Sequence, residues 1–127
     1  MSETEAGKSP AAPAPGASPA LISLEDFQKL ALRVGVVTAA IEHPNADRLL
    51  VLTVDVGEER PRQLVAGIRG SYQAAELVGR HVVVVANLKP AMLRGVESQG
   101  MVLAASDGTT IVVVSLERPI RVGSPVK

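Results

Sequence analysis

The chain has 127 residues, 46% of them hydrophobic, and its thirteen Lys and Arg balance thirteen Asp and Glu. One domain is expected at this length, and a formal net charge of zero excludes coating of nucleic acid by bulk charge alone. The absence of cysteine excludes disulfide staples, thiolate zinc sites and cysteine nucleophiles together.

Residues 1–20 hold four of the nine prolines, six alanines and two glycines, with no helical or strand period. They predict a disordered Pro/Ala-rich tail or linker, with the folded domain over 21–127. The start Met1-Ser2-Glu3-Thr4-Glu5 is acidic where an export signal is basic. The longest strongly apolar run, Val82 to Ala86, is far short of the ~20 residues a membrane helix needs. A soluble cytoplasmic protein without membrane association is the expectation.

Ser23 is a good N-cap for a short opening helix, and Asp26 stands three residues on. Ile22 and Phe27 have the spacing of a hydrophobic staple across that cap. The period then shortens. Leu32 to Thr38 is β-rich, and Leu49 to Val56 alternates, with Leu50, Leu52, Val54 and Val56 on one face. Gln63 to Ala66 is a third strand. Ser71 can cap a helix over Tyr72 to Val78, closed by Gly79. His81 to Leu88 is a fourth strand and Gly100 to Ala105 a fifth. Asp107-Gly108 marks a turn into a sixth, Thr110 to Ser115. A helix between the third and fourth of five strands is the layout of the OB-fold, a small Greek-key barrel. The fold class is therefore all-β: a five-stranded OB barrel with that helix, a short N-terminal helix and an extra C-terminal hairpin arm.

Two stretches carry more information than the periodicity. In His43-Pro44-Asn45-Ala46-Asp47-Arg48, Pro44 bars His43 from helical geometry, and Asn45 and Asp47 favour a turn that projects Arg48 from a fixed corner. In Val82 to Pro90 the ladder ends at Pro90, which holds Lys89 and Asn87 near a strand end. Arg94-Gly95 then turns, and Ser98-Gln99-Gly100-Met101 re-enters the barrel. Cations, amides and a hydroxyl in this mixture suit phosphate and ribose oxygens, contacts that set position more than sequence. Met101 reads either as core filler or as the end of that set.

These stretches, with Leu32-Arg33-Val34-Gly35, Ser71-Tyr72 and Glu76-Leu77-Val78-Gly79, closely resemble the tRNA-binding domain family over roughly residues 22–106. That family includes a free-standing structure-specific tRNA-binding protein, the C-terminal domain of bacterial methionyl-tRNA synthetase and a secretion-linked chaperone. The resemblance implies binding at the corner of the tRNA L largely regardless of sequence, a homodimer, and association with an aminoacyl-tRNA synthetase, methionyl-tRNA synthetase among the candidates. Arg48 keeps the charge of the commoner lysine. The candidate RNA-binding set is Arg33, Arg48, Asn87, Lys89, Arg94, Ser98, Gln99 and Met101.

Aromatic composition bears on the binding mode. With Phe27 taken by the staple, only Tyr72 remains, whereas single-strand binders stack bases on several aromatic platforms. Recognition of folded RNA by shape, backbone and 2′-hydroxyls needs none. The folded part carries twelve basic and eleven acidic groups, so affinity requires gathering the cations on one face or dimerising. The apolar Ile111 to Val114 and Pro119-Ile120 are expected either to pair across a two-fold axis or to fold back on the barrel.

No catalytic chemistry is expected. Glu42, His43 and Asp47 lack a further protein ligand in register for a metal, and His81 lies far along the chain. No nucleophile elbow, P-loop or dinucleotide fingerprint is present, and no cofactor is implied. The expected function is a non-catalytic tRNA-binding module, with a chaperone-like, polypeptide-binding OB-fold dimer as the alternative.

Overall fold

The structure, a computed structural model, describes residues 19–127. The expected tail over 1–20 lies outside the described residues except for its last two. Helix α1 (Leu24–Gln28) opens the fold, and Ser23 caps it by accepting the Asp26 N–H at 3.0 Å. The expected staple does not form. Ile22 is 68% exposed, while Phe27 packs instead on Leu32, Val83 and Val85. A five-residue helix is too short to bury both sides of its cap.

Strand β1 (Leu32–Glu42) is eleven residues long and serves two neighbours. Its first half pairs antiparallel with β4 (His81–Val85), from Leu32 opposite Val85 to Val36 opposite His81. Its second half pairs with β2 (Leu50–Asp55), with a register shift between Val37 and Ala39. Such a shift bends the strand and increases its twist, so that one strand can turn the corner of a barrel. β2 pairs with β3 (Arg62–Ala66), and β4 pairs with β7 (Met101–Val102), giving the sheet order β3-β2-β1-β4-β7.

The barrel nearly closes between its two outer strands. Gln99 donates its N–H to the Gln63 carbonyl at 2.8 Å, and the Gln63 N–H donates back to Gln99 Oε1 at 3.0 Å. Val65 donates to Ser98 Oγ at 2.9 Å. Gly100 is packed tightly between both neighbours: its φ is +144°, and a Cβ there would stand 2.9 Å from the Val85 carbonyl oxygen of β4 and 3.2 Å from Leu64 Cδ2 of β3. The interior is apolar. Leu50, Leu52, Val54 and Val56, the alternating face of β2, pack with Val37, Leu64, Leu77, Val82 and Val84. This is the expected OB-like barrel.

Helix α2 (Ala74–Leu77) lies between β3 and β4 as expected. It is shorter than the span Tyr72 to Val78, and its N-cap is Gln73, which forms a reciprocal capping box with Glu76. Ser71 Oγ turns instead to the Ile111 N–H. The fourth strand ends at Val85 rather than Leu88, and the fifth divides into β7 and β8 (Ala104–Ser106) around Leu103. Between them stands a separate hairpin, β5 (Ala91–Leu93) with β6 (Val96–Ser98).

The C-terminal arm is the hairpin of β8 with β9 (Ile111–Val113). Its turn is held by Asp107, whose carboxylate accepts the N–H groups of Thr109 and Thr110. The arm folds back on its own barrel. Val113 is buried, its N–H donates to the Tyr72 hydroxyl at 3.0 Å, and Ser115 bridges to Val82. Its outer side chains Val112 and Val114 stay exposed. Finally β10 (Pro125–Val126) pairs with the start of β1, Leu32 opposite Val126 and Arg33 opposite Pro125.

Candidate functional site

The loop 43–49 joins β1 to β2, and its anchor is His43. Only 3% of this residue is exposed. The Asn45 N–H donates to His43 Nδ1 at 2.9 Å, so Nδ1 is unprotonated and Nε2 carries the ring proton. Nε2 donates that proton to the Leu93 carbonyl, also at 2.9 Å. One imidazole thus ties the loop to the β5–β6 hairpin across fifty residues of sequence.

The hairpin reciprocates. Arg94, at its tip, adopts a positive φ of 53°, a conformation uncommon for a non-glycine residue. Its guanidinium donates to the Asn45 carbonyl at 3.2 Å. A third segment braces the loop from the far end of β3. The Arg69 N–H donates to the Arg48 carbonyl, its side chain reaches the Ala46 carbonyl, and its other guanidinium nitrogen pairs with Glu42 at 2.9 Å. Arg48, Arg69 and Arg94 are therefore gathered around one rigid loop. Arg48 and Arg94 are exposed, and among the described residues neither has a carboxylate within ion-pair distance.

The other candidates divide by role. Lys89 is exposed just before β5, at the hairpin's base, and has no ion pair among the described residues. Asn87 is accessible, but its amide is engaged: Oδ1 accepts the Ala31 N–H at 2.9 Å and Nδ2 donates to the Lys29 carbonyl at 2.7 Å. It fastens the end of α1 to the end of β4. Ser98 is 4% exposed, accepting from Val65 and donating to the Gly100 carbonyl at 2.9 Å. Gln99 is half-buried and closes the barrel on Gln63. Met101 is 37% exposed rather than core filler. Arg33 is half-buried at the start of β1, the end remote from the loop, where it donates to the Leu32 carbonyl.

Sequence reasoning placed His43 in the turn motif and weighed it as a metal ligand, without giving its ring a structural role, and did not single out Arg69. The His-Pro-Asn pattern contained the signal for the first, because an extended His before a turn can accept the turn's own N–H. Nothing local marked Arg69, whose partners lie more than twenty residues away. Among the described residues no three acidic or histidine side chains converge as a metal site. Nor is any helix there long and apolar enough to cross a membrane.

Comparison with known proteins agrees with this architecture. The family described as "Putative tRNA binding domain" matches residues 32–125. Methionine–tRNA ligase of Thermococcus kodakarensis is 48% identical over 106 residues, which cover 84% of this chain and 14% of the ligase. The chain therefore spans about a seventh of the length of the curated relatives it matches. Among solved structures, a MetRS-related protein from Pyrococcus horikoshii superposes with a TM-score of 0.80 at 32% identity, covering 86% of this chain and all of that one. The chaperone CsaA from Bacillus anthracis gives 0.77 at 30%, covering 85% of this chain and all of that one. With the family model matching residues 32–125 and a relative 48% identical over most of the chain, the chain belongs to the tRNA-binding domain family.

Proposed function

We propose that the chain is a non-catalytic module that binds folded tRNA by shape and backbone. It serves an aminoacyl-tRNA synthetase, methionyl-tRNA synthetase foremost, or acts free-standing in the cytoplasm, and it works as a homodimer. In this reading residues 21–127 form the tRNA-binding unit and the Pro/Ala-rich segment before it is a linker. The observation that carries the proposal is the lock between loop 43–49 and the β5–β6 hairpin, which holds the Arg94 guanidinium on the loop and fixes the backbone from which Arg48 projects. Preorganised guanidinium groups suit phosphate, because their planar forks bind it with two donors at little entropic cost. Base stacking has almost no equipment: Phe27 packs on the barrel and the Tyr72 hydroxyl accepts the Val113 N–H to hold the arm. The similarity to methionine–tRNA ligase supports the synthetase partner.

Within the candidate set, Arg48, Lys89, Arg94 and Met101 face the RNA. Asn87, Ser98 and Gln99 hold the backbone that presents them. The test is fluorescence anisotropy with whole tRNA, an isolated hairpin and a single strand over a salt series. Whole tRNA should bind best. Lys89→Ala with Arg94→Ala should weaken binding and flatten the salt slope by about two contacts. Equal affinity for the three RNAs would refute shape recognition.

A second reading is favoured by a specific observation. Leu21, Ile22, Leu24, Met92, Val112 and Ile120 are exposed apolar side chains, and the CsaA chaperone shares the fold at 30% identity. A polypeptide-binding dimer would suppress aggregation of an unfolded client and show no affinity for tRNA.

A further inference from the structure

β10 occupies the edge of β1 that β2 vacates, and the seam between them opens as a cleft of about 600 Å³. Its walls meet at two glycines. Gly57 and Gly123 have φ of +84° and +89°, and a Cβ on Gly123 would stand 2.9 Å from the Val56 carbonyl oxygen. The cleft is lined by three arginines, Arg33, Arg62 and Arg121, and by one acid, Glu58.

These charges are not equally available. Glu58 is gripped by Arg62 through two bonds of 2.8 Å. Arg62 spends its remaining terminal nitrogen on the Ala86 and Gln99 carbonyls, at 2.7 and 2.9 Å. That pair is closed. Arg33 makes one bond, to the Leu32 carbonyl, and the exposed Arg121 side chain has no hydrogen-bond partner among the described residues. Arg33 and Arg121 thus line a concave space whose single lining carboxylate, Glu58, is already taken.

We infer that this cleft is a second anion subsite, in which Arg33 and Arg121 hold a backbone phosphate of the RNA engaged at loop 43–49. The inference rests on the tRNA reading above and extends the interface to the opposite end of β1. Ala86 lines the cleft, and the chain from there passes Lys89 to reach Arg94, a path of at most roughly 28 Å for eight residues. Lys89 and Arg94 therefore follow the cleft along one short segment of chain. In the cleft the one lining carboxylate is already paired with Arg62, so the remaining arginines there present uncompensated positive charge to an anion.

The test measures tRNA binding by anisotropy across a salt series for the full chain, Arg121→Gln and Arg33→Lys/Arg121→Gln, with urea midpoints as the folding control. Arg121→Gln should keep the wild-type midpoint, lower tRNA affinity about tenfold at low salt and reduce the salt slope by about one. Arg121→Lys should retain the slope and lose part of the affinity, because an ammonium keeps the charge without the fork. If Arg121→Gln binds tRNA like wild type while Lys89→Ala/Arg94→Ala does not, the cleft subsite is overturned and the tRNA reading stands. If the full chain binds no tRNA, both fall. If inorganic phosphate shifts the Gly57 and Gly123 amide resonances but the Arg121 variants leave tRNA binding untouched, the cleft takes a free anion and the RNA path is wrong.

Discussion

Replacing His43 by Ala isolates the lock between loop 43–49 and the β5–β6 hairpin. The side chain is nearly fully buried and makes two hydrogen bonds of 2.9 Å. Its loss removes two bonds worth about 1 kcal/mol each and leaves the Asn45 N–H and the Leu93 carbonyl without their partners. Loss of the ring's packing adds about 1 kcal/mol more, since the site relaxes only in part. The expected destabilisation is about 2–4 kcal/mol, a Tm fall of at least about 8 °C for a domain of this size. Urea denaturation reads the stability, and amide exchange at Asn45 reads the local opening. The second measurement is the more diagnostic, because the lock predicts that Asn45 loses protection out of proportion to the barrel strands. Binding of tRNA should fall even at temperatures where the variant is folded, since Arg48 and Arg94 then move independently. His43→Gln should recover part of the loss, a carboxamide being able to replace one of the two bonds. A His43→Ala protein with an unchanged urea midpoint and an unchanged Asn45 exchange rate would refute the reasoning.

Ser98→Ala should destabilise the barrel by about 1–3 kcal/mol, because the buried Val65 N–H loses its acceptor, yet the salt slope of tRNA binding should stay as in wild type; a changed slope would make Ser98 an RNA contact. Gly100→Ala should cost about 2 kcal/mol or more through its positive φ and the 2.9 Å approach to the Val85 carbonyl, a drop that a urea midpoint equal to wild type would contradict. The Glu58 carboxyl is held below its ordinary 4.5 chiefly by the Arg62 hydrogen bond, which outweighs the opposing effect of burial, with the Arg62 charge adding a smaller lowering. A depressed carboxylate stabilises the fold above its unfolded value and loses that contribution as pH falls through the folded one. The stability gap between wild type and Glu58→Gln should thus be largest near about pH 7, at most about 1 kcal/mol for so exposed a carboxylate, and should close in acid; a gap that widens on acidification would reverse the assignment.

Local rules carried the sequence reading a long way. The period-two face of β2, the Ser23 cap, the turn at Asp107-Gly108 and the strand–helix order all depend on residues within a few positions of one another, and each is where the sequence placed it. The motif 43–48 was legible as a corner that presents Arg48, because Pro44 acts on its immediate neighbour. The ends of elements were less legible. α2 begins at Ala74 because the Gln73 and Glu76 pair satisfies the helix start better than Ser71, whose hydroxyl finds a partner forty residues away.

Sequence by itself determined a β-rich barrel, a set of cations and amides in two motifs, and a near absence of stacking surface. Only the tertiary structure decided which of those polar groups are spent inside the protein. Ser98, Gln99 and Asn87 look identical to contact residues along the chain, yet each satisfies backbone groups that the closing barrel would otherwise strand. Hydrogen-bond satisfaction is a property of which strands meet, and sequence spacing carries no record of that. The same holds for Arg33 and Arg121: eighty-eight positions separate them, and one pairing, β10 on β1, places both in one cleft.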